Sequence, residues 1–406
     1  MDGSLLAILS GRDRPGVTAA LFDALRPYPV TVLDLEQLVV RGRLVLAVLL
    51  GLRAQDVGDI RAVVHSAASK LGMEAETVPG APEEVESGRG RVHVTVLGAP
   101  LRPGAVADLA TEIAQRGGNI DRIRRIASYP VTAVVFEGSG IDVLEMRRIL
   151  SARAREMGVD VAVQAAGLTR RGQRLVVMDV DSTLIQDEVI DLLADLAGAR
   201  DRVAAITEAA MRGEMDFAES LRARVAALEG LPESALGDVA QRIRLTPGAR
   251  TLCRTLKRLG FHVCLVSGGF TPVIEGLARD LDVDRVRANS LEVVDGRLTG
   301  RIEGAIVDRA GKRQALEEFA AEFGVPLSRT IAIGDGANDL DMLEIAGLGV
   351  AFNAKPTVQA AADASVTVPY LDSVLFLLGV TREEVETADA ADGIVGTASR
   401  AEPPPG

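Results

Sequence analysis

Tryptophan is absent and aromatic residues make up only 3% of the chain, so Leu, Val, Ile and Ala must fill its cores. Cysteine is scarce as well. The two that occur, Cys253 and Cys264, fall in an expected helix and an expected apolar strand, where a thiol packs as a small hydrophobe, so neither a disulfide framework nor a thiolate metal site is expected. Positive charge is in deficit: 45 Lys and Arg stand against 57 Asp and Glu, and no basic cluster offers a footprint for nucleic acid. No apolar run approaches the roughly 18 residues of a membrane span, and Asp2 and Gly3 stand where a secretory signal carries basic residues. A soluble, cytoplasmic protein of two or three domains is the expectation for these 406 residues.

The most informative stretch is Leu175-Val176-Val177-Met178 followed by Asp179-Val180-Asp181-Ser182-Thr183. An apolar run of this kind suits a parallel strand covered on both faces, and ligands gather beyond the carboxyl ends of such strands. A single Asp there would serve as a helix cap. Two acids one residue apart repel each other and call for a cation, and hard oxygen ligands suit Mg²⁺.

Three later segments offer partners. Val263 to Val266 ends in Ser267-Gly268-Gly269, a hydroxyl and approachable backbone N–H groups suited to phosphate oxygens. Lys312 opens a helical pattern reaching Phe323, and a cation in a first helical turn points to a nearby anion. Ile331 to Ile333 discharges into Gly334-Asp335-Gly336-Ala337-Asn338-Asp339. Each signal is weak alone; their succession at strand ends and a helix start is specific.

With these four motifs, residues 172–380 resemble the phosphatases of the haloacid dehalogenase superfamily, and within it the branch that hydrolyses phosphoserine. The resemblance implies a Rossmann-like core. It implies Asp179 as nucleophile and Asp181 as general acid and base. A Mg²⁺ site would be formed by Asp179, the Val180 carbonyl and Asp335, supported by Asp181 and Asp339. Ser267, the Gly268 N–H, Lys312 and Asn338 would hold the phosphate. A helical insertion, about residues 188–245 with a break at Gly230-Leu231-Pro232, implies a small cap, in which Glu188, Met211, Phe217 and Arg224 stand where the branch selects its substrate. The charges also suit a zwitterion without that comparison: Arg offers a fork to a carboxylate and Glu an anion to an ammonium. A solvated pair of helix charges is the plainer alternative.

Upstream, the chain repeats itself. Leu5 to Leu9 followed by Arg14-Pro15-Gly16-Val17 recurs as His93 to Leu97 followed by Arg102-Pro103-Gly104-Ala105. Each copy reads as βαββαβ, a ferredoxin-like unit, with helices expected at Val17–Leu25, Val57–Leu71, Ala105–Gln115 and Val143–Met157. Residues 1–80 and 91–166 resemble ACT domains, which bind amino acids and pair side by side. The resemblance implies a homodimer or larger assembly and an effector such as serine, received near Asp13, Gly16 and Gly104. Plain dimerisation modules remain the alternative, and His65 and His93 are too isolated to be ligands.

The fold class expected is therefore α/β: two ACT-like domains, then a haloacid-dehalogenase-type core with a small helical cap. Asp295-Gly296 reads as a hairpin turn in a flap spanning Leu291 to Ile302. Residues 381–406, poor in large apolar side chains and closing on three prolines, read as a helix remnant and then a disordered tail. The expected activity is Mg²⁺-dependent hydrolysis of O-phosphoserine, the last step of serine synthesis. Another small phosphate ester, phosphoryl transfer to an alcohol, or an amino-acid sensor with a vestigial core are the competing readings.

Overall fold

The computed structural model describes residues 2–80, 90–167, 172, 174–212 and 214–394. The chain divides into two compact units, residues 1–87 and 88–406. In the first, strands β1 (Gly3–Arg12), β2 (Thr31–Val40), β3 (Arg43–Leu52) and β4 (Glu74–Gly80) form an antiparallel sheet in the order β2-β3-β1-β4. Period-two alternation sends Leu5, Ala7 and Leu9 to the same face as Leu44, Leu46, Val48 and Leu50. Helices α1 (Val17–Leu25) and α2 (Val57–Lys70) cover that face, with Val17, Leu21 and Leu25 recurring every fourth residue.

The second unit opens with the same plan: β5 (Val92–Gly98), α3 (Pro103–Gln115), β6 (Asn119–Ala127), β7 (Thr132–Ser139), α4 (Val143–Met157) and β8 (Asp160–Ala165). Its strands run β6-β7-β5-β8, the order of the first copy. Here the sheet does not stop. Ala162 of β8 pairs antiparallel with Ala364 of β15 (Ala364–Val366), merging the module into an 11-stranded sheet with the core. The seam is polar as well as apolar: Asp160 Oδ2 accepts the Thr367 N–H at 2.8 Å, and Asp363 accepts both Arg147 and the Gly349 N–H.

In the core, β9 (Leu175–Met178) is central, paired in parallel with β10 (His262–Phe270) on one side and β13 (Thr330–Gly334) on the other. Beyond them lie β11 (Arg285–Val294) and β14 (Leu348–Phe352). Successive strands depart to opposite sides of β9, so its carboxyl end opens on a crevice between diverging loops. β11 and β12 (Arg297–Glu303) form the expected hairpin, with Asp295 and Gly296 both at positive φ, as a two-residue turn with this twist requires.

The cap comprises α5 (Val189–Ala197), α6 (Arg200–Met211), α7 (Phe217–Ala226) and α8 (Ser234–Arg242). Two chain crossings join it to the core and brace each other: Ile185 bridges Leu245, the Thr246 hydroxyl donates to the Thr183 carbonyl at 2.7 Å, and Asp187 pairs with Arg244. The core continues through α9 (Ala249–Arg258), α10 (Thr271–Asp280), α11 (Arg309–Glu322) and α12 (Leu340–Ile345).

Several expectations are revised. The helix remnant expected from residue 381 is Arg382–Ala391, opened by a capping box between Thr381 and Glu384 and tied down by Arg254 and Arg258 on Asp389. The remainder, 395–406, and the linker residues 81–89 lie outside the described residues. Gly104 is the second residue of α3, whereas the corresponding Gly16 precedes α1 at φ 93, so the two loops are not alike. Lys312 closes the first turn of α11, whose N-cap is Asp308.

Candidate active site

Asp179 leaves the end of β9 with its N–H on the Ile333 carbonyl, 2.9 Å away, and only 4% of its surface exposed. Its Oδ1 accepts the Val180 N–H and Lys312 Nζ, each at 2.8 Å. The chain then turns sharply, with Ser182 at φ 57, which brings Asp181 back beside the cleft. Asp181 Oδ1 accepts the Val189 N–H at the mouth of α5, and Oδ2 accepts the Ser267 hydroxyl, both at 2.8 Å.

The motif after β13 closes the far wall. Asp335 Oδ1 accepts the Thr183 hydroxyl at 3.0 Å, while Asp339, fully buried, accepts Lys312 at 2.7 Å and the Gly336 N–H at 2.9 Å. Oxygens of Asp179, Asp335 and Asp339 lie within 4.8 Å of one another. Among the described residues only one cation, Lys312, is paired within this group. Burial, then the charge of Asp339, pushes the Asp179 carboxyl well above its ordinary range, and the same causes push Asp335 up to about 6. Burial disfavours the charge on Lys312, but Asp179 and Asp339 outweigh it and raise the ammonium's pKa. Three hard oxygen donors with an excess of negative charge fit a divalent cation such as Mg²⁺.

Asp179, Asp181, Asp335 and Asn338 share a cleft of about 150 Å³ with Gly268, Gly269, Glu188, Phe217, Arg224, Ile190 and Leu221. Glu188 accepts the Ser182 hydroxyl at 2.6 Å and keeps an exposed flank. Desolvation, then the charge of Asp181, pushes it up to about 7. Burial lowers the pKa of Arg224, against the opposing pull of Glu188 and Asp191. Among the described residues Arg224 has no ion-pair partner; its Nε donates to the Ser220 carbonyl at 3.4 Å, and its terminal nitrogens are left for the cleft that it lines.

Some expected roles are distributed differently. Ser267 is fully buried and does not line the cleft; its hydroxyl donates to Asp181 and accepts the Gly269 N–H at 2.7 Å. Its hydroxyl thus seats the acid beside the glycine pair. Asp339 lies in the acid cluster with Asp179 and Asp335, its two oxygens accepting from Lys312 and the Gly336 N–H. Met211 ends α6, and its side chain lies outside the described residues. Asp13 is exposed, with its N–H on the Gly42 carbonyl, and belongs to the first compact unit, whereas the cleft is built within the second.

Residues 176–344 match the haloacid dehalogenase-like hydrolase family, and 4–78 and 92–164 each match an ACT domain. Over 387 residues the chain is 59% identical to the phosphoserine phosphatase of Streptomyces coelicolor, covering 95% of this chain and 94% of that one. The chain belongs to the phosphoserine phosphatase family. It is also 51% identical, over 96% of both chains, to the phosphoserine phosphatase SerB2 of Mycobacterium tuberculosis. A solved structure of a probable phosphoserine phosphatase from Vibrio cholerae, unliganded, is 34% identical, with a TM-score of 0.55 and coverage of 75% of this chain and 89% of that one.

For this member of the phosphoserine phosphatase family, motif reading passed over three contributors. Ile190 and Leu221 supply the apolar wall of the cleft, and their helical spacing gave no hint of it because core residues recur the same way. Asn289 is the third. It is 1% exposed in the interior of β11, and a buried amide in a strand is the signal that exposes it.

Proposed function

We propose that the chain hydrolyses O-phospho-L-serine to serine and phosphate through an aspartyl-phosphate. The observation that carries this is the pairing, in one small cleft, of Asp179 and Asp181 at the base with Glu188 and the free fork of Arg224 at the cap. The fork suits the substrate carboxylate, and Glu188 suits the ammonium, whose arrival favours the ionised carboxylate.

In the first half-reaction an Asp179 oxygen attacks phosphorus and the bond to the serine oxygen breaks. Asp181 delivers its proton to that oxygen; burial raises its carboxyl above the usual range, as an acid requires. In the second, Asp181 takes a proton from water as the water attacks phosphorus, and the bond to Asp179 breaks. Asp179, Asp335 and Asp339 would hold Mg²⁺, which would supply positive charge against the phosphate oxygens, while the Val180 carbonyl expected beside them already accepts the Ile185 N–H at 3.0 Å. The Gly268 N–H and Asn338 are suited to the same oxygens. Lys312 holds Asp179 in place and offsets its charge.

The ACT modules are read as amino-acid receivers that modulate this activity, and the enzyme as a homodimer. Edge strand β2 supports the second point: Leu33, Leu35, Leu38, Val39 and Val40 are all exposed along it. No described helix is long and apolar enough to cross a membrane. Burial pushes both cysteine thiols up to about 12, so they are poor nucleophiles; this and a biosynthetic role accord with the cytoplasm.

Release of inorganic phosphate from a panel of small phosphate esters, with and without Mg²⁺, with and without free serine and with an added alcohol acceptor, tests the reading. Phosphoserine should be preferred, Mg²⁺ required, and phosphate rather than a new ester released. Preference for an ester without an amino acid group overturns the substrate assignment.

A further inference from the structure

We infer that Asn289 is a positioning residue that locks the Gly268-Gly269 loop to the entrance of α11, and so sets the phosphate cradle. The inference rests on the phosphatase reading above and adds a residue outside its four motifs. Asn289 Nδ2 donates to the Gly268 carbonyl at 2.8 Å, and its Oδ1 accepts the Val307 N–H at 2.8 Å. Both ends of the amide are thus committed to backbone, in a place with almost no water.

The two anchored segments come from different parts of the chain. Gly268 lies in the irregular stretch of β10 between Val266 and Phe270 and lines the cleft; Val307 precedes Asp308, the cap of the helix that carries Lys312. Nothing in the strand ladder ties them, since β10 and β11 lose regular pairing between Val266 and Phe270. The amide spans that gap. The strand at Asn289 is itself held, because the Thr271 hydroxyl donates to its carbonyl at 3.1 Å.

Holding the Gly268 carbonyl orients the peptide that follows. That peptide's N–H, on Gly269, donates to the Ser267 hydroxyl, which donates in turn to Asp181. Gly268 has little freedom elsewhere: a Cβ on it would stand 3.3 Å from the Phe217 ring and 3.9 Å from the Val307 carbonyl. One buried amide therefore fixes the peptide between Gly268 and Gly269, on the carboxyl side of the Gly268 N–H, and through the Gly269 N–H the hydroxyl that seats the acid.

The test uses the full chain with Mg²⁺. In N289D one carboxylate oxygen still accepts the Val307 N–H, but the other repels the Gly268 carbonyl. In N289S the side chain is too short for both partners and leaves room for a water. Both variants are compared with the wild type for phosphoserine turnover, for inhibition by inorganic phosphate and for melting midpoint. The expected result is a folded protein whose kcat falls on the order of 10- to 100-fold and whose inhibition constant for phosphate rises by a similar factor. A lowered melting midpoint with kcat and phosphate inhibition within about twofold of wild type makes Asn289 a structural residue only and overturns the inference. Should N289D not fold, N289S decides by the same criteria, and if neither variant folds the positioning role is rejected in favour of a folding role. Failure of the phosphatase reading itself is seen separately, in the wild type, as absence of turnover.

Discussion

Lys312 Nζ lies 2.8 Å from Asp179 Oδ1, and neither group has more than 4% of its residue surface in contact with solvent. A buried pair of this kind is weak evidence for stability, because desolvation of both ions offsets most of their attraction. Its value here is placement. It holds Oδ1 of Asp179, a residue that lines the cleft together with Asp335 and Asp181.

Asp179→Asn should abolish turnover while keeping the fold, since it removes the attacking oxygen and one charge but little volume. A loss of at least about 10³-fold in kcat is expected. Rapid quench with phosphorus-labelled substrate should show no protein-bound label. Normal turnover in the variant would remove Asp179 as nucleophile.

Arg224→Ala should raise KM for phosphoserine by the worth of one charge-assisted hydrogen-bonded contact, about 1.5–3 kcal/mol, and leave an ester without a carboxylate almost unaffected. Glu188→Gln should act in the same direction through the ammonium. Equal losses on both substrates would identify the two as packing residues of the cap.

Gly16 and Gly104 should respond differently to the same substitution. Gly16 sits at φ 93, where a side chain is strained by roughly 1–2 kcal/mol, while Gly104 lies inside α3 with open space around it. Gly16→Ala should therefore lower the melting midpoint and weaken calorimetric binding of serine, and Gly104→Ala should leave both unchanged. Serine binding that survives Gly16→Ala intact would move the effector site elsewhere.

The seam between the second ACT module and the core should weaken as pH rises through the weakly acidic range. Burial pushes Asp160 up to about 6, above its unfolded value, so the folded state binds the extra proton. Its stabilisation is complete below the unfolded pKa and is lost as pH climbs through the folded one. Asp160→Asn should flatten this dependence between about pH 4 and pH 6, measured by chemical unfolding of the full chain. An unchanged slope would place the proton uptake on another group.

The periodicities of the chain determined a good deal unaided. Alternation in β1 and β3 and the four-residue recurrence in α1 are local properties of the covalent chain, so Val17–Leu25 was legible to the residue. So was the set of acids at strand ends, because a parallel strand between two sheet neighbours has only its carboxyl end free for chemistry. What tertiary structure alone decided depends on distance between segments far apart in sequence. That the Ser267 hydroxyl reaches Asp181, 86 residues away, is one such relation. The fastening of the helix Arg382–Ala391 to Arg254 and Arg258 through Asp389 is another. The merger of the second ACT module with the core sheet likewise needs Ala162 and Ala364 side by side. No local pattern carries that pairing, because strand edges offer the same N–H and C=O groups to any partner and only packing chooses among them.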